Sequence, residues 1–106
     1  MAHYSRDIIQ TFTTETGQQP LIYLQGNARA TVRIEGGSSS DNINLEAVLV
    51  STSPQIRDTI ATNVLAGVSG NVWIKATSAP LVALGINIIT NASTSITFSI
   101  RVSEVV

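Results

Sequence analysis

Cysteine is absent from this chain of 106 residues, which excludes a disulfide scaffold, a thiolate nucleophile and sulfur-ligated zinc. Histidine occurs once, at His3. Nucleophilic and acid–base catalysis need a base poised beside a nucleophile, and one histidine in a terminal segment supplies neither arrangement. Charge is scarce as well: Asp, Glu, Lys and Arg make up 12% of the chain, about half the usual quarter, and the net charge is −1. The six Lys and Arg residues are scattered singly, so there is no basic stripe for phosphates and nucleic acid is excluded as a partner class. No run approaches the roughly 20 apolar residues of a membrane span, and no membrane association is expected. Arg6 and Asp7 stand where a secretory signal would carry its apolar core, so a product made in the cytoplasm and not exported by a signal peptide is expected.

What the chain has instead is alternation. In "ARATVRIE", Ala28, Ala30, Val32 and Ile34 point one way while Arg29, Thr31, Arg33 and Glu35 point the other, the mark of a half-buried antiparallel strand. "INLEAVLV" places Ile43, Leu45, Ala47 and Leu49 inward, and "TSITFSIRV" does the same with Ile96, Phe98, Ile100 and Val102. Further strands are expected at 7–14, 20–25, 57–66, 71–77 and 82–89, and the fragment 57–66 fits a short helix about as well. Turn chemistry separates them at Gly17, Gly26-Asn27, the "GGSSS" run, Ser53-Pro54, Gly67 to Gly70, Ala79-Pro80 and Asn91. Eight short strands about ten residues apart predict an all-β fold, an eight-stranded antiparallel sandwich of jelly-roll type in one domain over 8–106, preceded by an arm or tail at 1–7. Immunoglobulin-like and barrel arrangements are the alternatives.

The chemistry-bearing candidates are few. Asp41 with Glu46, or Glu35 with Asp41, are the carboxylate pairs, and both read as solvated charge on turns and outward strand positions. "SDNIN" offers Asp41, Asn42 and Asn44 oxygens to calcium, yet one acid gives little charge and the EF-hand spacing is missing. "EGGSSSD" joins two strands and opens no helix, so it lacks the dipole and free N–H groups of a phosphate cradle. "NAS" at 91–93 spells a glycosylation acceptor without a secretory signal beside it. No cofactor, metal site or catalytic residue is expected. Trp73, Tyr4 and Tyr23 are the aromatic rings able to stack on a sugar.

Where charge is missing, the polar faces are Ser, Thr, Asn and Gln; beyond Thr59 only Lys75, Arg101 and Glu104 are charged. Neutral polar groups are cheaper to desolvate than ions, so such faces suit a component of an assembly. Residues 71–90, "NVWIKATSAPLVALGINIIT", strengthen that expectation, because Leu84, Ile86 and Ile88 occupy one face while Leu81, Ala83 and Ile89 lie on or near the other. A strand buried on one side needs only one apolar face. Trp73, Leu81, Ala83 and Ile89 are therefore the candidate interface with other copies of the chain, with core and sugar platform as alternative roles for Trp73.

The succession "ARATVRIEGGSSSDNINLEAVL" and "IRDTIATNVLAGVSGNVWIKATSAPLVALGINIIT", over roughly residues 28–90, resembles small bacteriophage virion accessory proteins. The resemblance implies a capsid cement or decoration protein, a homo-oligomer and commonly a trimer, that binds the major capsid protein of the mature shell and is located in the virion. Tail and fibre modules share the pattern, and a carbohydrate-binding adhesin domain is a further alternative. On this reading His3, Tyr4 and Arg6 of the terminal arm, with Arg29 and Arg33, are the candidate capsid contacts.

Overall fold

The computed structural model describes residues 2–36, 41–50, 53–62, 64, 72–76 (backbone only), 81–91 and 95–105. Eight strands follow one another: β1 (His3–Phe12), β2 (Gly17–Gln18), β3 (Ile22–Gly36), β4 (Asn42–Val48), β5 (Asp58–Ala61), β6 (Val72–Ala76), β7 (Leu81–Thr90) and β8 (Ile96–Val105). There is no helix among the described residues.

The pairing is nested, as in a ribbon folded back at its middle: β1 pairs β8, β2 pairs β7, β3 pairs β6 and β4 pairs β5, each antiparallel. Cross-pairs β3–β8 and β4–β7 complete two layers, β1-β8-β3-β6 and β2-β7-β4-β5. This is the jelly-roll arrangement of the eight-stranded antiparallel sandwich expected from the alternation.

The layers are joined through β3. Its first part pairs Ile22 and Tyr23 with Leu84 and Ala83 of β7; from Arg29 to Gly36 it pairs with β8. The register shifts between Tyr23 and Ala28, across Gly26-Asn27. A local irregularity raises strand twist and bends the chain, so the pair expected to end one strand and begin another instead turns a single 15-residue strand from one layer into the other. Eight strands remain because Gly17–Gln18, expected as a turn, is itself a short strand.

Between the layers lies one apolar core. Ala30, Val32 and Ile34 of β3, and Ile96, Phe98, Ile100 and Val102 of β8, face Ile43, Leu45 and Ala47 of β4 and Leu84, Ile86 and Ile88 of β7. Each fully buried Ile, Leu or Phe contributes about 1.5–3 kcal/mol of transfer free energy. Phe98 packs edge-on against Phe12, with ring centroids 5.6 Å apart. At the end of β3, Gly36 has φ +81° and a Cβ there would collide with the Ser95 carbonyl oxygen, so glycine is required on both counts.

Several boundaries differ from the sequence expectation. β1 starts at His3, not Asp7, and runs in unbroken register with β8 from His3↔Val105 to Phe12↔Ile96. Residues 3–7 are therefore strand and not a free arm, because β8 extends far enough to pair them. β5 is confined to Asp58–Ala61, and residues 63, 65 and 66 of the stretch 57–66 lie outside the described residues. Leu49, expected inward, is 45% exposed, since β4 and its alternation stop at Val48. Residues 37–40 of the "GGSSS" loop, residues 67–70, Ala79-Pro80 and Ala92-Ser93 also lie outside the described residues.

Candidate functional site

The two layers turn very different outer faces to their surroundings. On the second layer, Glu46 of β4 points away from the core yet is only 4% exposed. Arg57, just ahead of β5, reaches over it: its Nε donates to Glu46 Oε1 at 2.8 Å, Nη1 to the Gln19 carbonyl at 2.8 Å and Nη2 to the Ile86 carbonyl at 3.4 Å. The Gln18 Nε2 and Asn87 Nδ2 amides complete the ring, each donating to Glu46 at 3.2 Å. The guanidinium lies directly over Gly85, where an added Cβ would stand 2.7 Å from Nη2. Glycine on β7 thus makes room for a cation that ties β4, β7 and the β2 edge together. Val48 and Ala83, register partners on this layer, are also fully buried.

A second buried carboxylate closes the open edge of the sandwich where β3 changes layers. Glu104, 4% exposed, accepts from Arg6 Nε at 2.9 Å and from the Gln25 N–H at 2.5 Å, while Arg6 Nη2 donates to the Tyr23 carbonyl at 2.8 Å. Two backbone groups at the β3 irregularity, the Gln25 N–H and the Tyr23 carbonyl, are thereby satisfied by side chains.

The outer face of the first layer is bare by comparison. Its rows, read across β1, β8 and β3, are Ser5–Ser103–Arg29, Asp7–Arg101–Thr31, Ile9–Ser99–Arg33 and Thr11–Thr97–Glu35. Thr11 and Thr97 hydroxyls share a hydrogen bond of 3.2 Å. Three arginines against two acids give these positions a positive balance on a chain of net charge −1. Asp7 accepts from Arg101 Nε at 2.9 Å and Nη2 at 3.0 Å; Arg33 pairs with Glu35. The hydrogen bonds from Arg101 hold the Asp7 carboxyl below its usual range, and Asp7 in turn raises Arg101. Both pairs lie in solvent, where screening and side-chain entropy leave such contacts little net stabilisation. Small Ser99 between taller neighbours leaves a shallow basin of about 400 Å³, lined by Asp7, Ile8, Ile9, Thr31, Arg33, Ser99, Ile100 and Arg101. Ile9 is 71% exposed on its wall.

The candidates named from sequence distribute unevenly over this frame. Arg29 and Arg33 are outward and exposed, and the fold brings Arg101 of β8 beside them. His3, Tyr4 and Arg6 sit in β1; His3 and Tyr4 are exposed, while Arg6 is engaged with Glu104. Tyr23 is exposed on the part of β3 that pairs with β7, in the second layer, and Tyr4 on β1 in the first.

Leu81 and Ala83, expected against another copy of the chain, are instead buried within this one. Leu81 belongs to the core and Ala83 lies between Tyr23 and Val48 in register, so neither needs a partner to cover it. Ile89 is 48% exposed. Trp73 pairs in register with Ile34, and its side chain lies outside the described residues.

Asp41 and Glu46, expected as solvated charges, are both buried. Sequence alternation places Glu46 outward but carries no sign of the Arg57 that roofs it from 11 residues away. Among the described residues no group of three His, Asp or Glu is placed to hold a metal ion.

No protein-family model and no curated protein matches the sequence. Among solved structures, a chain from the Bacillus endospore appendages, described as a novel family of disulfide-linked pili, superposes with a TM-score of 0.63 at 10% identity, covering 98% of this chain and 88% of that one. Aeromonas hydrophila PliG, a periplasmic inhibitor of g-type lysozyme, gives a TM-score of 0.44 at 23% identity, covering 93% and 84%. The appendage chain shares the all-β fold with this protein.

Proposed function

We infer that the chain is a non-enzymatic structural subunit that works by surface contact, docking the bare outer face of its first layer against a larger assembly. The observation that carries this is the contrast between the two layers. The protein covers Glu46 and Gly85, on the outer face of β2-β7-β4-β5, with its own Arg57, whereas β1-β8-β3 presents Ser, Thr and three arginines to solvent. Neutral hydroxyls are covered by a partner at little desolvation cost, and the arginines offer it charge-assisted hydrogen bonds.

The finer reading is a capsid cement or decoration protein, in which Arg29, Arg33 and Arg101 meet an acidic shell and self-association gives a trimer. Preferential binding to the mature shell would then stabilise it by mass action. Its support is the pattern of residues 28–90 and the placing of Arg29 and Arg33 on one exposed face.

A second reading, a subunit of a surface filament, is favoured by the fold likeness to the endospore appendage chain. Without cysteine, such a filament would have to be held by non-covalent contacts alone.

Sedimentation over a range of protein and salt concentrations, followed by co-sedimentation with phage shells, tests the proposal. A discrete oligomer that binds shells supports the cement reading, and open-ended growth supports the filament. A monomer at every concentration that binds no shell overturns the assembly role.

A further inference from the structure

We propose that the basin on the first layer receives a carboxylate side chain presented by a partner protein. The inference rests on the assembly reading and names the chemistry of the contact. Ser99 forms the floor, with Arg33 directly across from it on β3 and Arg101 two residues along β8 on the same face. Exposed Ile9 stands across from Ser99 on the other side. A glutamate side chain matches this set in order: its methylenes lie against Ile9 and its carboxylate reaches the guanidinium groups.

Donors are in supply. A guanidinium carries five N–H groups, and Glu35 engages Arg33 through Nε, so a second carboxylate can be held without displacing the first. The Ser99 and Thr31 hydroxyls rotate to donate as needed. Asp7 in the wall sets the limit on the ligand's charge. Two arginines against this one acid leave the basin lining one net positive charge, which a single carboxylate balances. A sugar is the less suited occupant, since among the described residues no aromatic ring lines the basin and the exposed Tyr4 and Tyr23 lie away from it.

The test titrates the intact protein with poly-L-glutamate at low salt and follows backbone amide NMR shifts. Shifts centred on Ser99, Arg33 and Arg101 are expected, with binding weakened about tenfold in Arg33→Gln or Arg101→Gln, the loss of roughly one charge-assisted hydrogen bond. Asp7→Asn should bind more tightly, and Asp58→Asn, the same charge change at an exposed position of β5 on the other layer, should bind as the parent does. These arginines are exposed, and unchanged amide spectra elsewhere would establish that the variants fold. Polygalacturonate serves as the second probe. Tighter binding of that polymer at the same residues overturns the protein partner in favour of an acidic glycan. No shift at the basin with either polymer overturns the site itself. If the same protein still oligomerises or binds shells by sedimentation, the assembly reading stands without it.

Discussion

Glu46 and Asp7 are both carboxylates on outer faces of strands, both held by arginine, and yet they belong to different kinds of surface. Glu46 is shut in by Arg57, Gln18 and Asn87 on the second layer. Asp7 meets Arg101 in the open, on a first layer that no other part of the described chain covers. A jelly roll's two outer faces, then, need not be equivalent. Here one has its central carboxylate roofed by Arg57, and the other is left as polar, lightly charged strand surface.

The strongest challenge to that contrast is Glu46→Ala. Removing one member of a buried pair leaves the other charge uncompensated, and the expected loss is about 3 kcal/mol, read from the urea midpoint. A loss below about 0.5 kcal/mol would place Glu46 with the surface pairs and erase the distinction.

Gly85→Ala probes the same cluster from beneath. The new methyl would displace the flexible end of Arg57 rather than backbone, so a smaller cost of about 1 kcal/mol is expected, together with altered amide shifts at Gln19. An unperturbed Gln19 amide would mean the guanidinium does not rest where the geometry places it.

The smallest effect is expected on the first layer, as pH dependence. The folded-state pKa of Asp7 is depressed by its hydrogen bonds to Arg101, so its contribution is present above the unfolded value and is lost as pH falls through the folded one. Glu15, whose carboxylate accepts from backbone N–H groups of its own residue, Thr13 and Thr14, acts in the same sense. Unfolding followed across the acid range should therefore show stability falling below the usual carboxylate pKa, with a shallower fall in Asp7→Asn. Because Asp7 is exposed, the difference should fade with added salt. A salt-independent difference as large as that of Glu46→Ala would contradict the surface assignment.

Particular elements show how far the sequence could be read. "ARATVRIE" and "TSITFSIRV" gave up their faces at once, because period-2 alternation is a local property and burial followed it at every described residue. The bend of β3 was not legible: Gly26-Asn27 is an ordinary turn signal, and only the positions of β7 and β8 make it an irregularity within one strand. The first seven residues looked like an arm for the same reason, since their partner on β8 is nearly a hundred positions away. Of the candidate site, Arg29 and Arg33 were visible as outward neighbours on one strand. Arg101, Ile9 and the basin between them required the register of three strands.

Residue type and short-range spacing were enough to set the class of fold, the inward and outward sets of its main strands, and the absence of thiol chemistry. Folding in three dimensions decided that Glu46 and Glu104 would be buried, and where the exposed arginines would gather. Those outcomes depend on contacts such as Arg57 with Glu46 and Arg6 with Glu104, made between residues that become neighbours only once the ribbon has folded back on itself.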